Sequence, residues 1–340
     1  MIQSQISTLV NGDDLTYEAM QSVMHAMMSG QTNDIENAAF LTALTIKGET
    51  VTEIQAGAEV MREFSTKVHV RSDLQDYLVD PVGTGGTHSN VFNVSTASSI
   101  VASCAGVTIA KHGNRAASSK SGSADLLEAA GVNVMLNPDQ MTQCIEKFGI
   151  GFMFAPQLHG AMKHVINTRK TLGIRTVFNL LGPLTNPSGA KRQVLGVFDA
   201  AWLQPMADVS KRLGQTRVMV VHSDDGLDEI SIAAPTQVVE LSNHSMNAYQ
   251  IDPKALGISH RDIDAVRVNS PQQSLDLIMA AFSGQPGAAY DMILLNSAAI
   301  IQVAGLSDDY PSAIETARSI LDAGQALTKL NEYARFTQAV

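Results

Sequence analysis

Cysteine, aromatic residues and fixed positive charge are all scarce in this sequence. Two cysteines, Cys104 and Cys144, stand among 340 residues, without a CxxC pair or a Cys/His cluster. Neither a disulfide framework nor a zinc site is expected, and the pattern fits a reducing cytoplasm. Aromatics are 5% of the chain, and the apolar residues are largely Ala and Val. Such small side chains suit helices packed closely on a sheet and disfavour a sandwich built on large ones. Acids outnumber bases, 33 to 23, for a net charge of −10, and no long Lys/Arg run concentrates the basic residues. A chain of this sign repels the nucleic-acid backbone, so nucleic acid is not expected as a partner. Any phosphate ligand would have to be held locally, by backbone N–H groups, a few Lys or Arg, and a metal.

Long apolar runs are missing too. The N-terminal residues show no basic stretch leading into an apolar core, so no signal peptide is expected. The longest small-apolar stretch, 91–110, is broken by Asn93, four Ser and two Thr, which argues against a membrane span. What remains is an ordinary globular balance, 45% hydrophobic and 16% charged. At this length two compact units are expected.

Residues 15–64 read as helical. Leu15, Ala19, Val23 and Met27 recur at helical spacing up to Gly30, Asn33 opens a second helix, and Thr52 with Gln55 resembles a capping box for a third. From residue 77 short apolar strands alternate with helices of about ten residues, which predicts a largely parallel α/β sheet. Strands are expected at 77–80, 107–110, 132–136, 150–154, 194–198 and 217–222. Helices are expected at 96–105, from Ser123 to Gly131, from the Asn137–Pro138 cap to Gly149, at 159–172, from Ser270–Pro271 onward, and twice near the C-terminus.

The chemistry-bearing segments follow strands. Gly83-Thr84-Gly85-Gly86-Thr87 packs three glycines into four residues. It is either an N–H nest for phosphate or a plain strand-to-helix turn. Asn93-Val94-Ser95-Thr96 offers either an anion site at a helix start or a simple cap. Lys111-His112-Gly113-Asn114-Arg115 sets two cations, an imidazole and an amide around a glycine, ahead of the small-polar run 118–123. Three strand ends feeding such loops describe an anion site at the carboxyl edge of a parallel sheet. In Ser223-Asp224-Asp225-Gly226-Leu227-Asp228-Glu229, Asp224 and Asp225 read as a solvated turn. Asp228 and Glu229 lie against Leu227 and Ile230 and are candidates for a site suited to Mg²⁺. His159, Met162, Ile166 and Arg169 would share one face of the 159–172 helix. Arg169 could clamp a planar carboxylate, although spacing alone favours a surface arginine near a helix end. Trp202, His222 and His244 read as packing or surface.

These segments, with Arg175 to Pro187 and Asp225 to Glu229, resemble anthranilate phosphoribosyltransferases in order and spacing, from about residue 15 to the C-terminus. The resemblance implies an α/β fold class: a small all-helical domain plus a large domain with a mostly parallel central sheet flanked by helices. The small domain would be 1–72, with 160–188 returning to it, and the large one 73–159 with 189–340. The implied reaction moves the phosphoribosyl group of 5-phosphoribosyl 1-pyrophosphate onto anthranilate, releasing pyrophosphate, in tryptophan biosynthesis. The implied pyrophosphate-sugar residues are Gly83, Gly86, Thr87, Val91, Asn93, Ser95, Thr96, Lys111, Ser119 and Ser123. Anthranilate would meet Gly83, His112, Asn114 and Arg169. Mg²⁺ would sit on Ser95, Asp228 and Glu229, and two chains would pair through their small domains. The family usually has Asp in place of Thr87 and a hydroxyl residue in place of Val91. The aromatic amine is unprotonated near neutral pH, so no catalytic acid or base is expected, in keeping with the lack of a triad or a carboxylate dyad. The alternatives are a pyrimidine nucleoside phosphorylase-type enzyme and a non-enzymatic nucleic-acid-binding relative of the same fold.

Overall fold

The computed structural model describes residues 2–87, 89–116 and 120–340. Four helices come first: α1 (Gln3–Val10), α2 (Tyr17–Met28), α3 (Asp34–Lys47) and α4 (Val51–Glu63). α2 buries Met20, Val23, Met24 and Met27, a stripe at helical period that forms the middle of the bundle. Asn33 and Glu36 close a capping box on α3, as expected of Asn33. The cap of α4 is Thr50 with Glu53, not Thr52 with Gln55. The buried Glu53 carboxylate accepts from Thr50 N, from Leu15 N at 2.9 Å and from Lys47 Nζ, so tertiary contacts select the earlier cap. α1 was not expected; its eight polar-rich residues fully bury only Leu9, too weak a pattern to read.

The chain returns to this bundle later. Val165, Val177, Phe178, Leu180, Leu181 and Leu184 join its core, and Asp34 accepts from Asn167 Nδ2 at 2.9 Å and from Thr168 Oγ1. The expected helix 159–172 is broken into Ala155–Leu158, the 3₁₀ turn Gly160–His164 and Ile166–Leu172. His159 and Val165 leave helical geometry because each turns its side chain inward, His159 onto His112 and Val165 into the bundle. The stripe His159–Met162–Ile166–Arg169 therefore does not exist, and Ile166 is exposed.

The remainder builds a seven-stranded sheet: β1 (Val79–Gly83), β2 (Ile109–Gly113), β3 (Ile150–Phe154), β4 (Arg192–Gly196), β5 (Arg217–Ser223), β6 (Thr236–Ser242) and β7 (Ser245–Ile251), in the order β3-β2-β1-β4-β5-β6-β7. The first five in that order run parallel; β6 and β7 are an antiparallel extension. That hairpin was not expected. Its two-residue turn, Asn243-His244, has φ of 48° and 68°, the left-handed pair that matches strand twist. Residues 132–136, expected as a strand, pair with no strand; Asn133 N donates to Thr337 Oγ1 at 3.0 Å on the last helix instead. Three helices close the chain where two were expected, Ala288–Ala304, Tyr310–Asp322 and Gln325–Ala339, after Pro271–Phe282, which Ser270 caps as predicted.

β1 runs past its expected end at Asp80, through Pro81 to Gly83. A proline in a central strand has no N–H for the ladder, which normally confines it to edges. Here side chains replace the missing rung: the buried Asp80 Oδ1 accepts His112 N at 3.0 Å, and Lys111 Nζ donates to the Pro81 carbonyl at 2.6 Å. The connector Gly182–Pro187 is held to the same strands, with Asn186 Nδ2 on Ala110 O at 2.8 Å and Gln193 Nε2 on Pro183 O at 2.7 Å.

Candidate active site

Strand order reverses between β1 and β4, so the crevice at their carboxyl ends is the topological switch point of the sheet. Gly83 and Gly196 are paired there. A Cβ on Gly196 would stand 1.8 Å from the Asp228 carbonyl oxygen, and one on Gly83 2.6 Å from Asp228 Oδ2. Two absent side chains thus leave the notch through which residues 227–229 pass over the strand ends. Asp228 Oδ2 accepts Gly85 N at 3.0 Å, and Gly85 and Gly86 take φ of 65° and 80°. That left-handed geometry is what the glycines supply.

Asp228 and Glu229 are both pushed above the usual carboxylate range. Burial is the main cause in each, joined for Glu229 by the neighbouring Asp228 charge. The Ser95 N–H, at the start of the helix Val94–Cys104 where the dipole favours an anion, draws the Glu229 pKa part of the way back down. Glu229 and Ser95 line a small cavity with Pro81, Val82, Ser98 and Asn296. Buried Lys111 donates to Ser95 Oγ at 3.1 Å. Burial lowers its pKa, while Asp80 and Glu229 pull it back up; Asp80 itself is raised to about 6, mainly by burial. Among the described residues no three His, Cys, Asp or Glu gather to hold an ion alone. Two crowded carboxylates beside a hydroxyl do fit Mg²⁺ when ligand oxygens complete its shell. Asp224 and Asp225 are exposed turn residues, as expected. Asp225 accepts from the hydroxyls of Ser223 and Ser231, and so shapes the loop that delivers Asp228.

Asn93 caps its helix through Thr96 N at 3.1 Å, and its amide reaches Ser121 O at 3.4 Å. The buried hydroxyls of Thr96 and Ser121 have no partner among the described residues. Thr87 Oγ1 lies 2.9 Å from Ser89 Oγ, and its hydroxyl draws the Asp228 pKa slightly down. Val91 makes a backbone bridge to Arg267 and packs on the main core, leaving no polar side-chain group there. Ser123 begins the helix Ser123–Ala129, with its Cβ 3.2 Å from where a Cβ on Gly113 would stand. Ser118 and Ser119 lie outside the described residues.

On the other side, His112 and His159 are buried with Nε2 atoms 3.1 Å apart. Burial holds both imidazoles neutral, His159 down to about 4 and His112 well below its ordinary value. Arg169 is half-buried, 5.1 Å over the Phe178 ring, with desolvation lowering its pKa and no ion pair among the described residues. Asn114 is exposed, and its side-chain carbonyl accepts Arg115 N at 2.7 Å. Arg115, read as part of a cation cluster, turns outward to Glu128 and Asp125 and over Phe154. Two further residues to which the sequence assigned no role shape the site. Asp125 ties the 115–122 loop by accepting Ala116 N and Gly122 N. His222, read as packing, bonds the Val197 carbonyl through Nδ1 at 2.8 Å with its ring near Asp228; its place at the end of β5 was the available signal.

Residues 3–65 match the helical bundle domain of the glycosyl transferase family, and 75–327 match that family's a/b domain. The anthranilate phosphoribosyltransferase of Thioalkalivibrio sulfidiphilus is 48% identical over 99% of this chain and 98% of its own length; that of Methylobacillus flagellatus is 50% identical over 98% and 97%. The crystal structure of the Thermus thermophilus anthranilate phosphoribosyltransferase superposes with a TM-score of 0.91 at 40% identity, covering 98% of this chain and 99% of that one. The Saccharomyces cerevisiae enzyme in complex with PRPP and Mg gives 0.90 at 27% identity, covering 100% and 98%.

The Gly196 notch yields a direct test. Gly196→Ala puts a methyl group into the Asp228 backbone, so unfolding by urea should show a loss of about 1–3 kcal/mol, the usual cost of overpacking. An unchanged midpoint would mean that the 227–229 segment has room to move aside.

Proposed function

The chain belongs to the anthranilate phosphoribosyltransferase family, and we propose on that footing that it transfers the phosphoribosyl group of 5-phosphoribosyl 1-pyrophosphate to anthranilate, as a step of tryptophan biosynthesis. The observation that carries this reading is the meeting, at one switch point, of a left-handed glycine loop, a helix N-terminus and the Asp228–Glu229 pair. The sugar pyrophosphate is assigned to Gly83, Gly86, Thr87, Asn93, Ser95, Thr96, Lys111, Ser119 and Ser123. Val91 contributes only backbone, because its side chain packs inward. Ser95, Asp228 and Glu229 would hold Mg²⁺, which when bound neutralises charge on the pyrophosphate leaving group.

The amine nitrogen of anthranilate attacks the anomeric carbon as the bond to pyrophosphate breaks, and the nitrogen, left cationic, releases one proton to the departing pyrophosphate or to solvent. N–H groups of the loop and of the Val94–Cys104 helix meet the oxygens on which charge grows, and being already oriented they need no rearrangement. Arg169, desolvated on Phe178 with no ion pair among the described residues, is matched to the anthranilate carboxylate. Neutral His112, steadied by His159, faces the amine side without adding a charge that would repel it or the cationic transition state. Gly83 and Asn114 complete that side. On a division into 1–72 with 160–188, and 73–159 with 189–340, Arg169 would belong to one unit and the pyrophosphate loops to the other, and closure would assemble the site and exclude water.

Two copies would pair through the helical unit. Ile35 and Ile46, eleven residues apart on one face of α3, are 82% and 81% exposed. A cytoplasmic location goes with this activity; no described helix is long and apolar enough to cross a membrane. A phosphorolytic enzyme of the same fold would use inorganic phosphate in place of pyrophosphate. The deciding experiment follows anthranilate fluorescence in purified protein with the sugar pyrophosphate and Mg²⁺, beside a nucleoside phosphorolysis assay. Turnover in the second alone would reject the assignment.

Three outcomes are expected. Arg169→Ala should reduce kcat/KM for anthranilate by about ten- to a hundredfold, the cost of one charge-assisted bidentate contact, with little change in sugar-pyrophosphate binding; equal losses for both substrates would remove Arg169 from the acceptor side. Mg²⁺ affinity should climb as pH rises through neutrality, because Glu229, raised by burial and by Asp228, must lose its proton to bind the ion. Calorimetric titration at several pH values checks this, and a flat profile in the native protein would count against Glu229 as a ligand. Ile46→Lys should shift sedimentation toward monomer at micromolar concentration, and a native chain already monomeric there would refute the pairing.

A further inference from the structure

Arg175 stands outside every group assigned above, yet it touches the glycine-rich loop. It leaves the link between the helices Ile166–Leu172 and Val177–Leu181, just after Gly173 ends the helix that carries Arg169. Its Nη2 donates to the Gly86 carbonyl, and its guanidinium lies 4.4 Å over the Phe198 ring. Phe198 is itself bound to the loop: its N–H donates to Thr84 Oγ1 at 3.0 Å, while Thr84 N donates to the Gly196 carbonyl at 2.9 Å. Loop, β4 end and connector thus form a closed ring of contacts through Thr84, Phe198, Arg175 and Gly86. Among the described residues Arg175 has no carboxylate partner.

We propose that Arg175 is a positioning residue, a latch that holds the glycine-rich loop in its anion-presenting conformation only while the connector carrying Arg169 is docked. The peptide group is planar and trans, so a carbonyl fixed at Gly86 fixes the opposite direction of the Thr87 N–H. Gly85 and Gly86 are conformationally permissive and gain most from such a restraint. A Cβ on Gly86 would stand 3.0 Å from Arg175 Nε, so the close approach also explains glycine at this position. A planar fork that can stack and donate at once suits the task better than an ammonium group. The acceptor-side arginine and the pyrophosphate loop are thereby mechanically joined through the short span 169–175. This deepens the function proposed above, since the loop is the one assigned there to pyrophosphate.

The test compares Arg175→Ala, Arg175→Lys and Phe198→Leu in the full chain, with urea midpoints confirming that each folds. Hydrogen exchange at the 84–87 amides is read without ligand, and KM is measured separately for each substrate. In Arg175→Ala, exchange should quicken and the sugar-pyrophosphate KM should rise about three- to tenfold, the worth of one exposed charge-assisted contact. The anthranilate KM should rise by less than the sugar-pyrophosphate KM, because Arg169 keeps its own packing over Phe178 when the latch is lost. Phe198→Leu should move both readouts in the same direction, and Lys should restore less than half of the change. Unaltered exchange in Arg175→Ala overturns the latch. So does a KM loss in Arg175→Ala that Phe198→Leu does not share, which would make Arg175 a direct pyrophosphate ligand. If the native protein binds no sugar pyrophosphate, the functional assignment fails, while the exchange comparison still decides the latch.

Discussion

The site depends on a close approach that only two missing side chains allow. Gly83 and Gly196 face each other at the ends of β1 and β4, and the Asp228 backbone crosses the gap they leave. Without that crossing, Asp228 would not receive the Gly85 N–H, and Glu229 would not reach the helix start at Ser95. The Asp228–Glu229 carboxylates and the glycine-rich loop are therefore brought to one crevice by backbone packing, at the point where strand order reverses.

Around that crevice the interior carries more ionisable groups than stability alone would favour. Asp80, Lys111, Asp228 and Glu229 are all displaced from their ordinary pKa values by burial. Displaced values gather where charge must be handled. Lys111 and Asp80 also restore the ladder broken by Pro81, so they join strand geometry to the electrostatics of the site. The helical bundle follows the opposite logic, with its methionine-rich core and one buried Lys47–Glu53 pair that closes a cap.

Much of the framework was legible because it is local. β3 fell at its expected residues, and the caps at Asn33, Asn137 and Ser270 were read from side-chain chemistry alone. Errors arose where distant contacts decided the local conformation. Glu53 moved a cap because Leu15 and Lys47 reach it; residues 132–136 gave up strand pairing for the C-terminal helix; His159 broke a helix to meet His112. The β6–β7 hairpin went unread although its Asn-His turn takes the left-handed geometry of a two-residue loop.

The sequence by itself determined the anion-loop motifs, the parallel α/β grammar, the acidity that disfavours nucleic acid, and the distinction between the solvated Asp224–Asp225 pair and the inward Asp228–Glu229 pair. Residue type and short-range spacing carry those. Tertiary structure alone decided that Arg115 turns outward while Arg169 finds no ion pair among the described residues, that two imidazoles share one buried contact, and that Arg175 reaches Gly86 across 89 positions. These are side-chain directions and long-range approaches, and one-dimensional periodicity has no term for either.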